Sequence, residues 1–175
     1  MLAATELNHL FGLSLHDGRL DEGSAYLEES IGLFEKVGGD LLVYLARGNL
    51  ALLRLLQGRH AEAVPLVRTC LLVKRRLGPG FPTGELIFAA ACCAAWQGDY
   101  SRAASLHGAG EKDIADALEN RSINWPDVEQ QLREREQGKL KELLGETAYS
   151  DAYSSGAQLS PEQALDLALA RDSAD

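Results

Sequence analysis

The sequence predicts an all-α protein built as a helical-repeat array, and three observations carry that prediction. Gly18, Gly58 and Gly98 lie 40 residues apart and open similar phrases: Gly18-Arg-Leu-Asp-Glu-Gly, Gly58-Arg-His-Ala-Glu-Ala and Gly98-Asp-Tyr-Ser-Arg-Ala. Each phrase follows an apolar run and precedes a second apolar series at helical spacing. No stretch alternates convincingly with period 2, as a half-buried strand would.

The elements follow in chain order. A first helix contains Phe11-Gly12 and ends at the Gly18 turn. A second carries Leu27, Ile31 and Phe34 on one face and stops at the breaker Gly38-Gly39. The third is leucine-rich almost all round, from Leu41 to Leu56, as expected of a helix with neighbours on several sides. After Gly58 a fourth helix carries Val67, Cys70 and Leu71, and the loop Gly78-Pro-Gly-Phe-Pro closes the second unit. The third unit repeats the scheme through Ala90-Ala91 and Gly98, with a long helix over residues 101–119. Gly fits the turns because it takes left-handed backbone angles without a Cβ penalty. Gly23, Ala63 and Ala103, five residues after each turn glycine, are small enough for two antiparallel helices to approach closely.

Beyond the third unit the period stops. Asn124-Trp-Pro126-Asp127 reads as a helix cap with Pro126 in the first turn. A charged helix through Leu144 follows, then a short helical stretch over 146–154. Ser160-Pro161-Glu162 starts a last helix with Leu165, Leu167 and Leu169. The expected organisation is therefore three helix pairs over 1–123 (about 1–40, 41–80 and 81–123), stacked in a right-handed array. A C-terminal helical cap covers 124–175.

Composition limits the function classes. The 175-residue chain holds 17 Lys+Arg against 26 Asp+Glu, a net charge of −9, which argues against direct nucleic-acid binding. The longest uncharged apolar stretch, Leu86 to Gly98, is far short of the ~20 residues a membrane span needs. The N-terminus carries no secretion signal, and three cysteines with two adjacent make no disulfide framework. A cytoplasmic location is expected.

Candidate chemistry is sparse. The segment from Gly78 to Glu85 resembles a phosphate loop only in its glycines: no strand precedes it, and its prolines remove backbone donors. His9, His16, His60 and His107 form no metal-ligand spacing. Cys92 and Cys93 point about 100° apart on a helix and make no redox pair. The serines lack a nucleophile-elbow context. No enzyme activity, cofactor or metal is expected.

Charge is distributed unevenly. Residues 1–40 hold 2 basic and 8 acidic groups, residues 41–80 hold 7 and 1, and residues 81–120 hold 2 and 6. A 40-residue shift takes Glu28 to Arg68, Glu35 to Arg75 and Arg76 to Asp116, which suggests pairing across stacked repeats. Arg47 and Arg54 have no acidic counterpart at either shift. They are the candidate site for an anionic or acidic-peptide partner, because guanidinium forks grip carboxylates and phosphates.

The turn and the small residues around it resemble the tetratricopeptide repeat. The matching positions are Leu50, Ala51, Gly58, Ala63 and Val67 in the second unit, and Gly98, Tyr100 and Ala103 in the third. The 40-residue period departs from the family's ~34. Other phrases are similar to the C-terminal region of LuxR- or AfsR-type, MalT-like transcriptional regulators that carry an NTPase module. They are Leu27-Glu-Glu-Ser-Ile-Gly-Leu-Phe, Gln97-Gly-Asp-Tyr-Ser-Arg-Ala-Ala, Leu106-His-Gly-Ala-Gly-Glu, Leu144-Gly-Glu-Thr-Ala-Tyr and Leu159-Ser-Pro-Glu-Gln-Ala-Leu. The resemblance implies a sensor and interaction platform, one part of a larger regulator whose DNA- and nucleotide-binding modules lie elsewhere. The partner would be a protein or other domains of that regulator. A small-molecule inducer held in a concave groove is the alternative, and a homodimer stays open.

Overall fold

A computed structural model gives the structure, which describes residues 2–78, 84–119 and 127–170. Among these, every regular element is an α-helix. In order they are α1 (Leu2–His16), α2 (Leu20–Lys36), α3 (Asp40–Leu56), α4 (His60–Leu77), α5 (Gly84–Trp96), α6 (Tyr100–Glu119), α7 (Asp127–Leu144), α8 (Glu146–Ala157) and α9 (Pro161–Leu169). The loop at 79–83 and the expected cap at 124–126 lie outside the described residues.

The helix ends share one device. Gly18, Gly58 and Gly98 have φ of 71°, 73° and 89°. The N–H of each glycine reaches the carbonyl three residues back (3.2, 3.0 and 3.1 Å), and the next N–H reaches the carbonyl five back (2.8, 2.7 and 3.0 Å). This double bond pattern satisfies carbonyls that a helix end would otherwise leave open. Gly38 and Gly78 also turn at positive φ, 70° and 76°, so the first five helices end at glycines spaced every 20 residues. The 40-residue period visible in the sequence is twice this helix-by-helix spacing.

The chain divides into two compact units, Met1–Cys70 and Leu71–Asp175, the division falling inside α4. In the first unit α2 packs on both α1 and α3. Its core is Phe11, Leu15, Leu27, Phe34, Leu50, Leu53, Leu55, Ala63 and Val67, all buried. A Cβ added at Gly23 would stand 3.4 Å from Leu53 and 3.5 Å from Phe11, where α1, α2 and α3 meet.

In the second unit α6 is the hub, packed on α5, α7, α8 and α9. Helix α5 runs Leu86-Ile-Phe-Ala-Ala-Ala-Cys-Cys-Ala and is buried along nearly its whole length. Its small side chains let α6 approach until backbones touch: a Cβ at Gly84 would lie 2.7 Å from the Gly110 carbonyl oxygen and 2.9 Å from the Ile114 nitrogen. Helices α6 and α8 are closer still. A Cβ at Gly156 would fall on the Ser105 carbonyl, and one at Gly108 on the Tyr153 carbonyl. Ser160 caps α9, its hydroxyl accepting from the Gln163 N–H at 3.2 Å while the Gln163 side chain accepts from the Ser160 N–H at 2.9 Å.

Candidate functional site

Arg54 lies near the end of α3 and is only 5% exposed. Its Nη1 donates to Ser24 Oγ at 2.8 Å and to Gln57 Oε1 at 2.9 Å. Nη2 pairs with Glu28, and Nε stands 3.1 Å from Glu62 Oε2. Gln57 then donates to Asp21 Oδ1 at 2.8 Å. The local reason is spacing: Ser24 and Glu28 are four apart on one face of α2, and Gln57, at the C-cap of α3, stands three residues after Arg54. A buried guanidinium is tolerated only when its charge and donors are met, and here every edge is engaged.

Arg47 differs. Its Nη2 donates to Glu35 Oε1 at 2.6 Å, and its side chain is 33% exposed. Of the two candidate arginines it is the one an outside carboxylate can reach. Each draws an acidic partner from α2, 12 and 26 residues away, a relation that a 40-residue shift does not sample, and Arg54 adds Glu62 of α4. Glu28 and Glu35 are thus engaged by Arg54 and Arg47, while Arg75 pairs with Asp166 at 2.5 Å. The side chain of Asp116 lies outside the described residues. Gly18, Gly58 and Gly98 form the turns described above, and Gly23, Ala63 and Ala103 are buried beside them.

The second unit buries a polar cluster around His107, a histidine that the sequence places in no ligand spacing. His107 on α6 is 1% exposed, with Nδ1 3.5 Å from the Tyr149 hydroxyl and 3.7 Å from Glu111 Oε1. Phe88 meets the ring edge-on at 5.3 Å. Tyr153 donates to Glu111 Oε2 at 2.5 Å. Burial lowers the proton affinity of His107, with Glu111 opposing, so the buried ring is favoured neutral. Burial also raises the Tyr149 and Tyr153 phenols. A His, a Glu and two Tyr in one cluster could suggest acid–base chemistry, but a ring this deeply buried presents no surface to a substrate. On α7, burial and the negative neighbour Glu85 raise the Glu129 carboxyl to about 7, against the pull of Arg133.

Burial pushes the thiols up as well, Cys70 to about 11 and Cys93 to about 12, with Cys92 raised further by nearby Glu136. None of them is a poised nucleophile. Among the described residues no three His, Cys, Asp or Glu gather as a metal-holding group. No helix there is long and apolar enough to cross a membrane.

One open groove of about 490 Å³ lies between the end of α4 and the start of α9, lined by Lys74, Arg75, Gly78, Pro161, Glu162, Leu165 and Asp166. Lys74 Nζ donates to the Gly78 carbonyl at 2.8 Å, while Arg75 is held by Asp166. In its lining the groove combines apolar Pro161 and Leu165 with charged residues of both signs. Its size suits a small molecule or a few peptide side chains. The sequence could not announce it, because its walls come from residues 91 apart. No family model, no curated protein and no solved structure matches this chain.

Proposed function

We propose that this chain is a non-catalytic, tetratricopeptide-like helical-repeat module for protein association or effector sensing, working as part of a larger LuxR/AfsR-type transcriptional regulator. The observation that carries the reading is the turn. One hydrogen-bond pattern recurs at Gly18, Gly58 and Gly98, each followed five residues on by a small buried residue. A chain that repeats a helix–turn–helix unit cannot bury the unit's apolar face alone. It gains stability by stacking units, and the stack leaves an extended surface for a partner. Arg47, reachable from outside and basic, is the contact assigned to an acidic segment of that partner.

The experiment is reconstitution. Partners crosslinked to the tagged chain in its own host are identified, purified, and titrated into it by calorimetry. A saturable complex that Arg47→Ala weakens supports the module. Failure of every purified candidate to bind overturns it.

The groove beside α9 favours one second reading, an effector-binding sensor. A metabolite that occupies the groove would raise the melting temperature, through preferential binding to the folded state. Leu165→Trp, which fills the groove, would abolish that rise.

A further inference from the structure

Helix α3 carries a leucine seam that the first unit does not use. Leu41 and Leu45 are 38% and 48% exposed, and Leu52 is half-buried on the same side. With Gly48 they follow a 4-3-4 spacing, so all four fall within about 60° of arc on a helix of 3.6 residues per turn. This is the spacing of a coiled-coil seam. The three charged residues of α3, Asp40, Arg47 and Arg54, lie about 110–150° around the helix from the centre of the seam, and Arg47 and Arg54 pair there with Glu35 and Glu28. Gly48 sits mid-helix, where glycine is the poorest helix former after proline. Among the described residues nothing needs its smallness, since a Cβ there would meet none of their atoms within 4 Å.

We propose that this seam is a self-association surface, on which α3 of a second copy of the chain lies antiparallel. The seam is complementary to itself. A two-fold axis between Leu45 and Gly48 sets the Leu45 of each copy over the Gly48 of the other, and Leu41 against Leu52. Within the chain Leu53 makes the same kind of contact with Gly23, a leucine seated where a helix has no Cβ. The stripe bears no charge, so two identical copies meet there without like-charge repulsion, and antiparallel helices bring opposite dipole ends together. One helix of 17 residues spans about 25 Å and offers less contact than a standard interface of roughly 1,600 Å², so the dimer is a weak one. The inference stands on α3 alone and does not depend on the repeat reading.

Sedimentation velocity on the full chain, from about 1 to several hundred μM, tests it over the affinity range expected of a small interface. The expected result is a reversible monomer–dimer equilibrium that tightens with added salt, because each copy carries a net charge of −9 outside an uncharged contact. Leu45→Lys should weaken dimerisation at least tenfold while leaving helicity and unfolding midpoint unchanged. Gly48→Ala should raise the unfolding midpoint of the monomer yet weaken the dimer, a split that helix propensity alone does not produce. A chain that stays monomeric throughout would overturn the proposal. So would a dimer indifferent to Leu45→Lys, or a Leu45→Lys chain whose monomer is destabilised, since Leu45 would then be covered from within.

Discussion

In the unit Met1–Cys70, α2 and α3 are tied by a buried guanidinium with four polar partners. In the unit Leu71–Asp175, α6 meets α8 glycine to backbone around a neutral imidazole. The first join is chemical, and it has slack at its edges because Glu28 and Glu62 face water, 55% and 47% exposed. The second is steric and has none. The contrast teaches that two interiors of similar helix content can fail in different ways. One loosens by rehydration, the other only by moving a helix.

The largest effect should come from breaking the steric join. Gly156→Ala places a methyl on the Ser105 carbonyl, a clash that side-chain rotation cannot relieve. We expect a loss of about 3 kcal/mol or more, at the upper end of overpacking costs. Tryptophan fluorescence in urea reads it selectively, because both tryptophans of the sequence, Trp96 and Trp125, come after residue 71. An unchanged midpoint would mean that α6 and α8 stand further apart than described.

Arg54→Met should cost less. Removing one member of a sealed buried pair costs roughly 3–5 kcal/mol, but the carboxylates left behind here can hydrate, so about 2 kcal/mol is expected. Urea unfolding followed by far-ultraviolet circular dichroism measures it. A full 4 kcal/mol loss would show the network to be drier than its exposures indicate.

The next prediction is a pH dependence of the second unit. Glu129 has its carboxyl raised from 4.5 to about 7. A raised folded value contributes stability that is complete below pH 4.5 and is lost as pH rises through 7. Glu129→Gln should therefore stabilise the unit at pH 8 by roughly 2 kcal/mol and change little at pH 4. His107 has the opposite sign, since its lowered value means that stability is lost as pH falls below 6.5. Midpoints of the parent and Glu129→Gln chains between pH 4 and 8 would separate on the alkaline side alone. Curves that run parallel would rule out the buried carboxyl.

The smallest effect carries the other sign. At Gly23 an added Cβ finds ordinary contact distances, 3.4 Å to Leu53 and 3.6 Å to Ser14, and the equivalent positions already hold Ala63 and Ala103. Gly23→Ala should stabilise the first unit by roughly 0.5–1 kcal/mol, through helix propensity and lower unfolded-state entropy. Thermal unfolding detects it. A decrease would show that α1, α2 and α3 meet more tightly at that point. One substitution type, glycine to alanine, thus distinguishes the two kinds of helix contact.

How much of this was legible beforehand depends on the range of the interaction. The all-α class, the turns at Gly18, Gly58 and Gly98 and the start of α9 at Ser160 rest on local physics: periodicity, left-handed glycines and side-chain caps. Such signals survive in a single line of residues. The α6–α8 approach left only a trace, Gly108 within α6 and Gly156 near the end of α8, and a glycine looks the same in the sequence whether or not another backbone lies opposite. The electrostatics were visible as composition but not as pairing. The basic character of residues 41–80 is plain in the sequence, yet Arg54 meets Glu28 and Arg47 meets Glu35 because α2 and α3 run antiparallel.

The sequence by itself determined which residues turn, which cap and which can be buried, since those properties belong to a residue and its near neighbours along the chain. Only the tertiary structure decided which charges pair, how closely α6 and α8 approach, and where a groove opens between α4 and α9. Those depend on the distance between residues as many as 91 positions apart, and that distance is set by packing the whole unit at once.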